Sequence, residues 1–458
     1  MAGRLTRLAG AFAAATALVG ATVALGRAHV AAAPEAGAGP LVGPDRPAVG
    51  PVAQPGSPLA RRSGISASHL RSKLAAQMRA TGGSSGAYVV DLDAHGGGQL
   101  FSWASKTSRI LASNMKLFTT AALLERYGPT QTFTTHLWAV GNRTGQSNRV
   151  LTGRLALVGA GDPTLADASF ARTYGLPLTR LAPLAAAVKR SGIRVIRHGI
   201  LADGHVFDGK NTIPQAGISG GPFLGTLSGL DYNSGYTHGH LAGSPPKVAA
   251  HALENKLEKV GVKVKDPTKV GTLSTKVRSR PALDGVRSPP VSSLIAATNT
   301  PSNDFFAEML LKRLAAAGNH RGTTARGSRL VEHFADRLGS SVRTQNGSGL
   351  SRLDKSSPRD VVHLLAAMNG RKDGPVYRKS LSIPCKTGTL AQRMCGTAAA
   401  GHCHAKTGTL SDVSALSGYC EARHHHLIAF SLLMNNVSIT AAHVHQDNIA
   451  ALLARYSP

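Results

Sequence analysis

Apolar and polar positions alternate through Gly86–Leu92 and again through Gln99–Trp103, the period of two expected of strands with one buried face. A polar helix over about 67–80 precedes them, and Ala94–Gly98 reads as the turn between them. From Leu111 to Leu124 the pattern changes. Leu117, Phe118, Ala121, Ala122, Leu123 and Leu124 leave almost no polar face, which predicts a helix buried in a core. Between Pro129 and Ser288 short strand-like pieces (Thr132–Trp138, Leu155–Val158, Ile200–Ala202) alternate with helical ones (Leu178–Ser191, Val248–Val260). Glycine-rich turns such as Gly217–Gly229 separate them. Helices return over Pro289–Ala316, Leu330–Leu338 and Pro358–Met368. Strands resume at His402–Leu410, Ser414–Ala422 and Leu427–Asn435, before a closing helix at 440–455. Strands first, helices in the middle and strands last describe an α+β chain that closes one antiparallel sheet from its two ends, with helical layers on its faces. The stretch from Pro129 to Ser288 then reads as a large insertion.

Length and composition add an address. The 458 residues are enough for two or three domains. Arg4 and Arg7, the mild apolar run Leu8–Leu25 and the small residues Ala31-Ala32-Ala33 read as an export signal over 1–33, cleaved or kept as an anchor. Residues 34–62 follow as a linker, with seven prolines between 34 and 58 that rule out a core. The remaining boundaries are 63–129 and 289–458 for the two segments of the main domain, and 130–288 for the inserted body. The formal net charge is +28. In an exported chain with scattered basic residues, this points to an anionic cell-wall polymer or membrane surface rather than nucleic acid.

All four cysteines lie late, and an even count in an exported chain points to disulfides. A turn at Ser411-Asp412 sets Cys403 directly opposite Cys420 on a hairpin, which leaves Cys385 to pair with Cys395. The 19 histidines show no ligand spacing, so neither a metal nor a cofactor is expected.

The chemistry begins with Ser113 and Lys116, one turn apart on the apolar helix. Burial favours a neutral amine, and a neutral amine can take a serine proton. A second Ser-x-x-Lys, Ser244 to Lys247, opens a charged helix, where Ser244 suits an N-cap and Lys247 is expected in solvent. Lys406-Thr407-Gly408-Thr409 lies on the strand before the proposed hairpin. An edge strand there pairs with an extended peptide, Gly408 lets the substrate backbone approach, and Lys406 offers a cation to a carboxylate. The N–H groups of Ser113 and Thr409 would form an oxyanion hole. Lys386-Thr387-Gly388-Thr389 spells the same tetrapeptide, but no alternating strand follows it and it falls inside the Cys385–Cys395 loop. Ser302-Asn303-Asp304 opens the helix Phe305–Ala315.

Ser-x-x-Lys, Ser-x-x and Lys-Thr-Gly in this order form the motif set of penicillin-recognising serine enzymes. With Leu157–Leu165, Pro301–Glu308, Gly347–Ser351 and Ala405–Leu410, the chain resembles the low-molecular-mass class C penicillin-binding proteins, the D-alanyl-D-alanine carboxypeptidase/endopeptidase family. The resemblance runs from about 65 to 455. The separation of 189 positions from Ser113 to Ser302 matches that family's habit of inserting domains there. It implies the transpeptidase/β-lactamase-like fold, peptidoglycan stem peptides as substrate and β-lactam antibiotics as covalent ligands. It also implies roles: Ser113 as nucleophile, Lys116 as base, Ser302 as proton relay to the leaving D-alanine, Lys406 as holder of the terminal carboxylate. Thr407, Gly408, Thr409 and Ser348 complete the substrate-binding set.

Two positions depart from the family pattern. Asp304 stands where an Asn is usual, and Asn346 where an Asp is common. Ionised Asp304 lacks the amide donor and is expected to pair with Lys116, which favours the charged ammonium over the base. A β-lactamase or esterase on the same scaffold, or a wall-binding protein impaired by Asp304, therefore stay open as alternatives.

Overall fold

In the computed structural model, which describes residues 63–94, 98–213, 224–237, 240–318 and 320–458, the two ends of the chain meet in one sheet. The export segment and the linker expected within residues 1–62 lie outside the described residues, as does part of the glycine-rich stretch 217–229. The principal elements start with helix α1 (Ala67–Ala80), strands β1 (Ser84–Asp91) and β2 (Gly98–Trp103), and helix α2 (Met115–Tyr127). The inserted stretch supplies β3 (Thr134–Val140), β4 (Arg154–Val158), β5 (Ile200–Asp203), α3 (Pro245–Lys259), β6 (Lys269–Val270) and β7 (Asp284–Arg287). Helices α4 (Val291–Asn299), α5 (Asp304–Ala315), α6 (Thr324–Arg337) and α7 (Pro358–Asn369) follow. The chain closes with β8 (Cys403–Leu410), β9 (Val413–Glu421), β10 (Leu427–Asn435) and α8 (Ile439–Leu453).

The central sheet runs β8-β9-β10-β1-β2, every neighbour antiparallel. Alternation along β10 decides its two faces. Ile428, Phe430, Leu432 and Met434 pack with Leu70, Leu74 and Met78 of α1 and with Ile449 and Leu453 of α8. Ala429 and Leu433 point the other way, into a core shared by α2 and α4 to α7. The result is a helix–sheet–helix sandwich. Helix α2 runs through the larger helical layer, and every residue from Met115 to Leu124 is buried. Each of its large apolar side chains contributes about 1.5–3 kcal/mol by leaving water.

The inserted stretch builds its own mixed sheet, β6-β5-β4-β3-β7, parallel from β6 to β4 and antiparallel beyond. It grips α5 directly. Lys312 of α5 pairs with Asp208 and donates to the Lys210 carbonyl at 2.8 Å, while Phe207 packs with Phe305, Phe306 and Met309.

Two helices start away from their expected positions. The one read from Leu330 begins at Thr324, because Thr323 caps it by accepting from the Arg326 N–H at 3.1 Å. Gly327 is tolerated inside it for a packing reason, since a Cβ there would lie 2.6 Å from the Leu311 carbonyl oxygen. The helix read from Leu178 begins at Ala182 with Pro183 in its first turn, where a missing N–H costs nothing.

Both disulfides are present, and Cys403 faces Cys420 in the β8–β9 register. Removing the second by Cys403→Ala with Cys420→Ala should cost about 2–4 kcal/mol in a denaturant titration. An unchanged midpoint would show that this cross-link contributes nothing to stability.

Candidate active site

Ser113 sits on a single 3₁₀ turn, Ala112–Asn114, at the mouth of α2. It is the one residue between Leu111 and Leu124 that reaches solvent. The turn is held from three sides. Asn114 Nδ2 donates to the Lys406 carbonyl of β8 at 3.0 Å, and the Leu111 N–H donates to the Asp354 carbonyl at 3.0 Å. Gly349 closes the third side, where an added Cβ would lie 1.9 Å from the Ala112 carbonyl oxygen. Ala112 itself has φ +46, and Ser302 has φ +62. Left-handed backbone at two non-glycine residues stores strain beside two hydroxyls, a pattern that clusters at functional sites.

Lys116 is fully buried, with 0 % of its side chain exposed. Its Nζ donates to Ser113 Oγ at 2.9 Å, to the Ser348 carbonyl at 2.8 Å and to Asp304 Oδ1 at 2.5 Å. Three donors meet three acceptors, so the ammonium is fully coordinated. Asp304 is the first residue of α5, where the helix end favours a negative charge. Asn303 is not available to replace it, because its side chain caps α5 by accepting from the Phe306 N–H at 3.0 Å.

Ser302 meets the second lysine. Lys406 Nζ donates to Ser302 Oγ and to the Thr407 carbonyl, each at 2.8 Å. Burial, and behind it the nearby Lys116 charge, push the Lys406 ammonium well below the ordinary lysine range. Its side chain is enclosed, so its reach into the cleft passes through the Ser302 hydroxyl.

Strand β8 is the sheet edge. Ala405 exchanges both backbone hydrogen bonds with Ser382 on the outer side, at 2.9 and 3.1 Å. By the two-residue period, Thr407 and Thr409 turn their N–H and C=O groups to the same outer edge. Thr409 is exposed there, while the Thr407 hydroxyl donates to Thr389 Oγ1 at 2.8 Å.

Gly408 has a purpose beyond the expected one. A Cβ on it would fall 2.8 Å from the Leu111 carbonyl and 3.0 Å from the Ser113 nitrogen. The missing side chain admits the nucleophile's own turn. Ser348 also differs from its expected part. It is buried with its hydroxyl against Asn346 Oδ1 at 3.3 Å, and it serves the site through the carbonyl that holds Lys116.

The sequence gives no role to three further residues. Glu308 accepts the Ser348 N–H at 2.7 Å and so fixes that carbonyl. Burial pushes its carboxyl up, against the pull of the Gly347 and Ser348 amides. Asp354 accepts the Gln345 N–H at 2.6 Å, and burial, aided by Glu308, pushes it up to about 7. Thr389 belongs to the second Lys-Thr-Gly-Thr. That segment forms a short turn rather than a strand, as read, with Lys386 in solvent, yet its threonine buttresses Thr407. Glu308 carried a signal: an acidic residue one helical turn beyond Asp304, in an otherwise apolar run. Lys247 of the other Ser-x-x-Lys is exposed, and Ser244 makes no side-chain cap. Among the described residues no group of three or more His, Cys, Asp or Glu is placed to hold a metal ion.

Comparison with known proteins gives the family and the fold. The profile of the D-Ala-D-Ala carboxypeptidase 3 (S13) family matches residues 68–217 and 239–456. A D-alanyl-D-alanine carboxypeptidase of Actinomadura sp. (strain R39) is 29% identical over 451 residues, covering 81% of each chain. Carboxypeptidase DacB of Mycolicibacterium smegmatis is 27% identical over 380 residues, covering 79% of this chain and 78% of its own length. The crystal structure of penicillin binding protein 4 (dacB) from Haemophilus influenzae shares the fold, with TM-score 0.71 at 16% identity over 84% of this chain and 99% of that one.

Gly349→Ala should displace the Ser113 turn and slow labelling of the serine by a fluorescent β-lactam by about 100-fold or more. Labelling at the wild-type rate would show that the turn does not depend on Gly349. Asp354→Asn tests the buried carboxyl. Its folded pKa of about 7 lies above the ordinary 3.8, so the native state holds a proton that the unfolded chain releases. That contribution makes stability fall as pH rises between those values. The Tm of the variant relative to wild type should therefore climb from pH 4 to pH 7. Parallel Tm profiles would contradict the assignment.

Proposed function

We propose, since the chain belongs to the D-Ala-D-Ala carboxypeptidase 3 (S13) family, that Ser113 carries the acyl group and that the Lys116–Asp304 pair sets how fast it is loaded. The protein is a serine-type D,D-carboxypeptidase/endopeptidase that cleaves D-Ala-D-Ala-type bonds of peptidoglycan stems and binds penicillins covalently. An extended stem peptide pairs with the outer edge of β8. The Thr409 hydroxyl and the field of Lys406, transmitted through Ser302, receive its terminal carboxylate. Neutral Lys116 takes the Ser113 proton as Oγ bonds to the carbonyl carbon. The oxyanion lies against the N–H groups of Ser113 and Thr409. Ser302 passes a proton to the departing amine as the C–N bond breaks, and water then hydrolyses the ester.

The observation that carries the proposal is the bond of 2.9 Å between Lys116 Nζ and Ser113 Oγ inside a buried site. The contact of 2.5 Å to Asp304 favours slow acylation, because the amine that must accept the Ser113 proton is bonded to a carboxylate at the same time. The two disulfides support an oxidising, extracytoplasmic location.

Intact-mass measurement after incubation with a penicillin should give one adduct on the wild type and none on Ser113→Ala. A persistent adduct on Ser113→Ala rejects the nucleophile. Rapid loss of the label with nitrocefin turnover would make the enzyme a β-lactamase instead. Asp304→Asn should raise the acylation rate at pH 7 by roughly 10-fold or more. A slower variant would show that the carboxylate assists the reaction.

A further inference from the structure

Helices α2 and α5 each begin at the active site and end at a second cleft. At about 1.5 Å per residue, the far end of α2 lies ~20 Å from Ser113. There the catalytic body meets the inserted sheets around a cavity of about 860 Å³. Arg126 and Arg313, from the last turns of α2 and α5, line one wall, with His320 and Arg321 just beyond. His205 and Arg278 line the other wall, from the insertion. Among the described residues no carboxylate lines the cavity.

The charges are unevenly compensated. Arg278 is paired with buried Asp203 at 2.5 Å, which accounts for it. Among the described residues Arg126, Arg313 and Arg321 make no ion pair. Arg313 stacks over Phe133 at 4.7 Å and Tyr127 at 5.6 Å, and its buried Nε has no hydrogen-bond partner there. Cations are favoured at helix C-termini, and that explains Arg126 and Arg313 as single residues. His205, like Arg278, is accounted for by Asp203, which lies 3.4 Å from its ring, but nothing of this kind explains why Arg321 and His320 converge on the same space.

We propose that this cleft binds an anionic phosphodiester polymer. Guanidinium forks match phosphate oxygens. A tetrahedral phosphate offers oxygens to more than one guanidinium at once, whereas a planar carboxylate engages one fork. The cavity is far larger than a single phosphate, so it takes several repeats of a chain. The overall charge of +28 steers such a polymer toward the protein. Bound there, the polymer tethers the enzyme while the Ser113 cleft stays free for peptide.

Fluorescence anisotropy with labelled poly(glycerol phosphate), read at several salt concentrations, tests the site. Arg126→Gln with Arg321→Gln should weaken binding about tenfold or more and flatten the slope of log Kd against log salt by roughly 1.5–2. Arg287→Gln with Arg343→Gln removes two exposed charges away from the cleft and should change Kd less than about twofold. Penicillin labelling of Ser113 and Tm should stay at wild-type values in both double variants, which keeps this test separate from the catalytic one. Equal losses in the two double variants would overturn the proposal in favour of diffuse attraction. So would equally tight binding of poly-L-glutamate, or a loss seen only on phosphatidylglycerol vesicles. If the cleft double variant folds poorly, the single variants Arg126→Gln and Arg321→Gln, each with about half the change in slope, decide the question.

Discussion

A lysine ammonium without solvent is the constraint around which this protein is arranged. Lys116 has three protons to donate, and the fold supplies three acceptors from three different segments: Ser113 beside it, the Ser348 carbonyl and the Asp304 carboxylate. Each acceptor is itself fixed. Gly349 leaves room for the Ser113 turn, Glu308 holds the Ser348 amide, and the Asn303 cap and the start of α5 hold Asp304. Removing one partner of such a buried pair typically costs about 3–5 kcal/mol, because the other charge stays buried and uncompensated. The core around α2 is therefore tied to the geometry of the chemistry.

The sheet edge extends the same logic. β8 brings Lys406 to Ser302 on one side and receives Asn114 on its backbone, so nucleophile turn, relay serine and peptide-binding edge share one strand. A bare edge strand invites aggregation unless it is covered or short. Here Ser382 covers its start at Ala405, and the Cys385–Cys395 loop supports Thr407, which leaves the stretch around Thr409 open for substrate. The insertion also contributes to this site. Phe207 and Asp208 grip α5 behind Asp304, which couples the inserted sheets to the catalytic helix.

Local pattern was enough for much of this. The all-apolar run around Ser113, the alternation of the last strands and the placement of the Cys403–Cys420 pair are short-range properties, fixed by side-chain period and turn position. The three motifs were legible because each contains residue types that cost stability when buried, and such residues stand out in an apolar frame. Glycines read incompletely where only the tertiary structure shows the neighbour. Gly408 read as space for substrate and also makes space for the Leu111–Asn114 backbone. Ser348 read as part of the substrate-binding set and its carbonyl holds Lys116, a role a backbone group does not mark on the sequence.

The sequence by itself determined the elements, the hairpin register and the reactive residue types, since these follow from periods of two and 3.6 and from the chemistry of each side chain. Only the tertiary structure decided that Glu308 and Asp354 stand behind the Gly347–Ser348 turn, and that Thr389 of the second Lys-Thr-Gly-Thr supports the first. Those contacts join residues from 9 to 40 positions apart. Their distances depend on how whole layers pack, and no local pattern of apolar and polar positions encodes that.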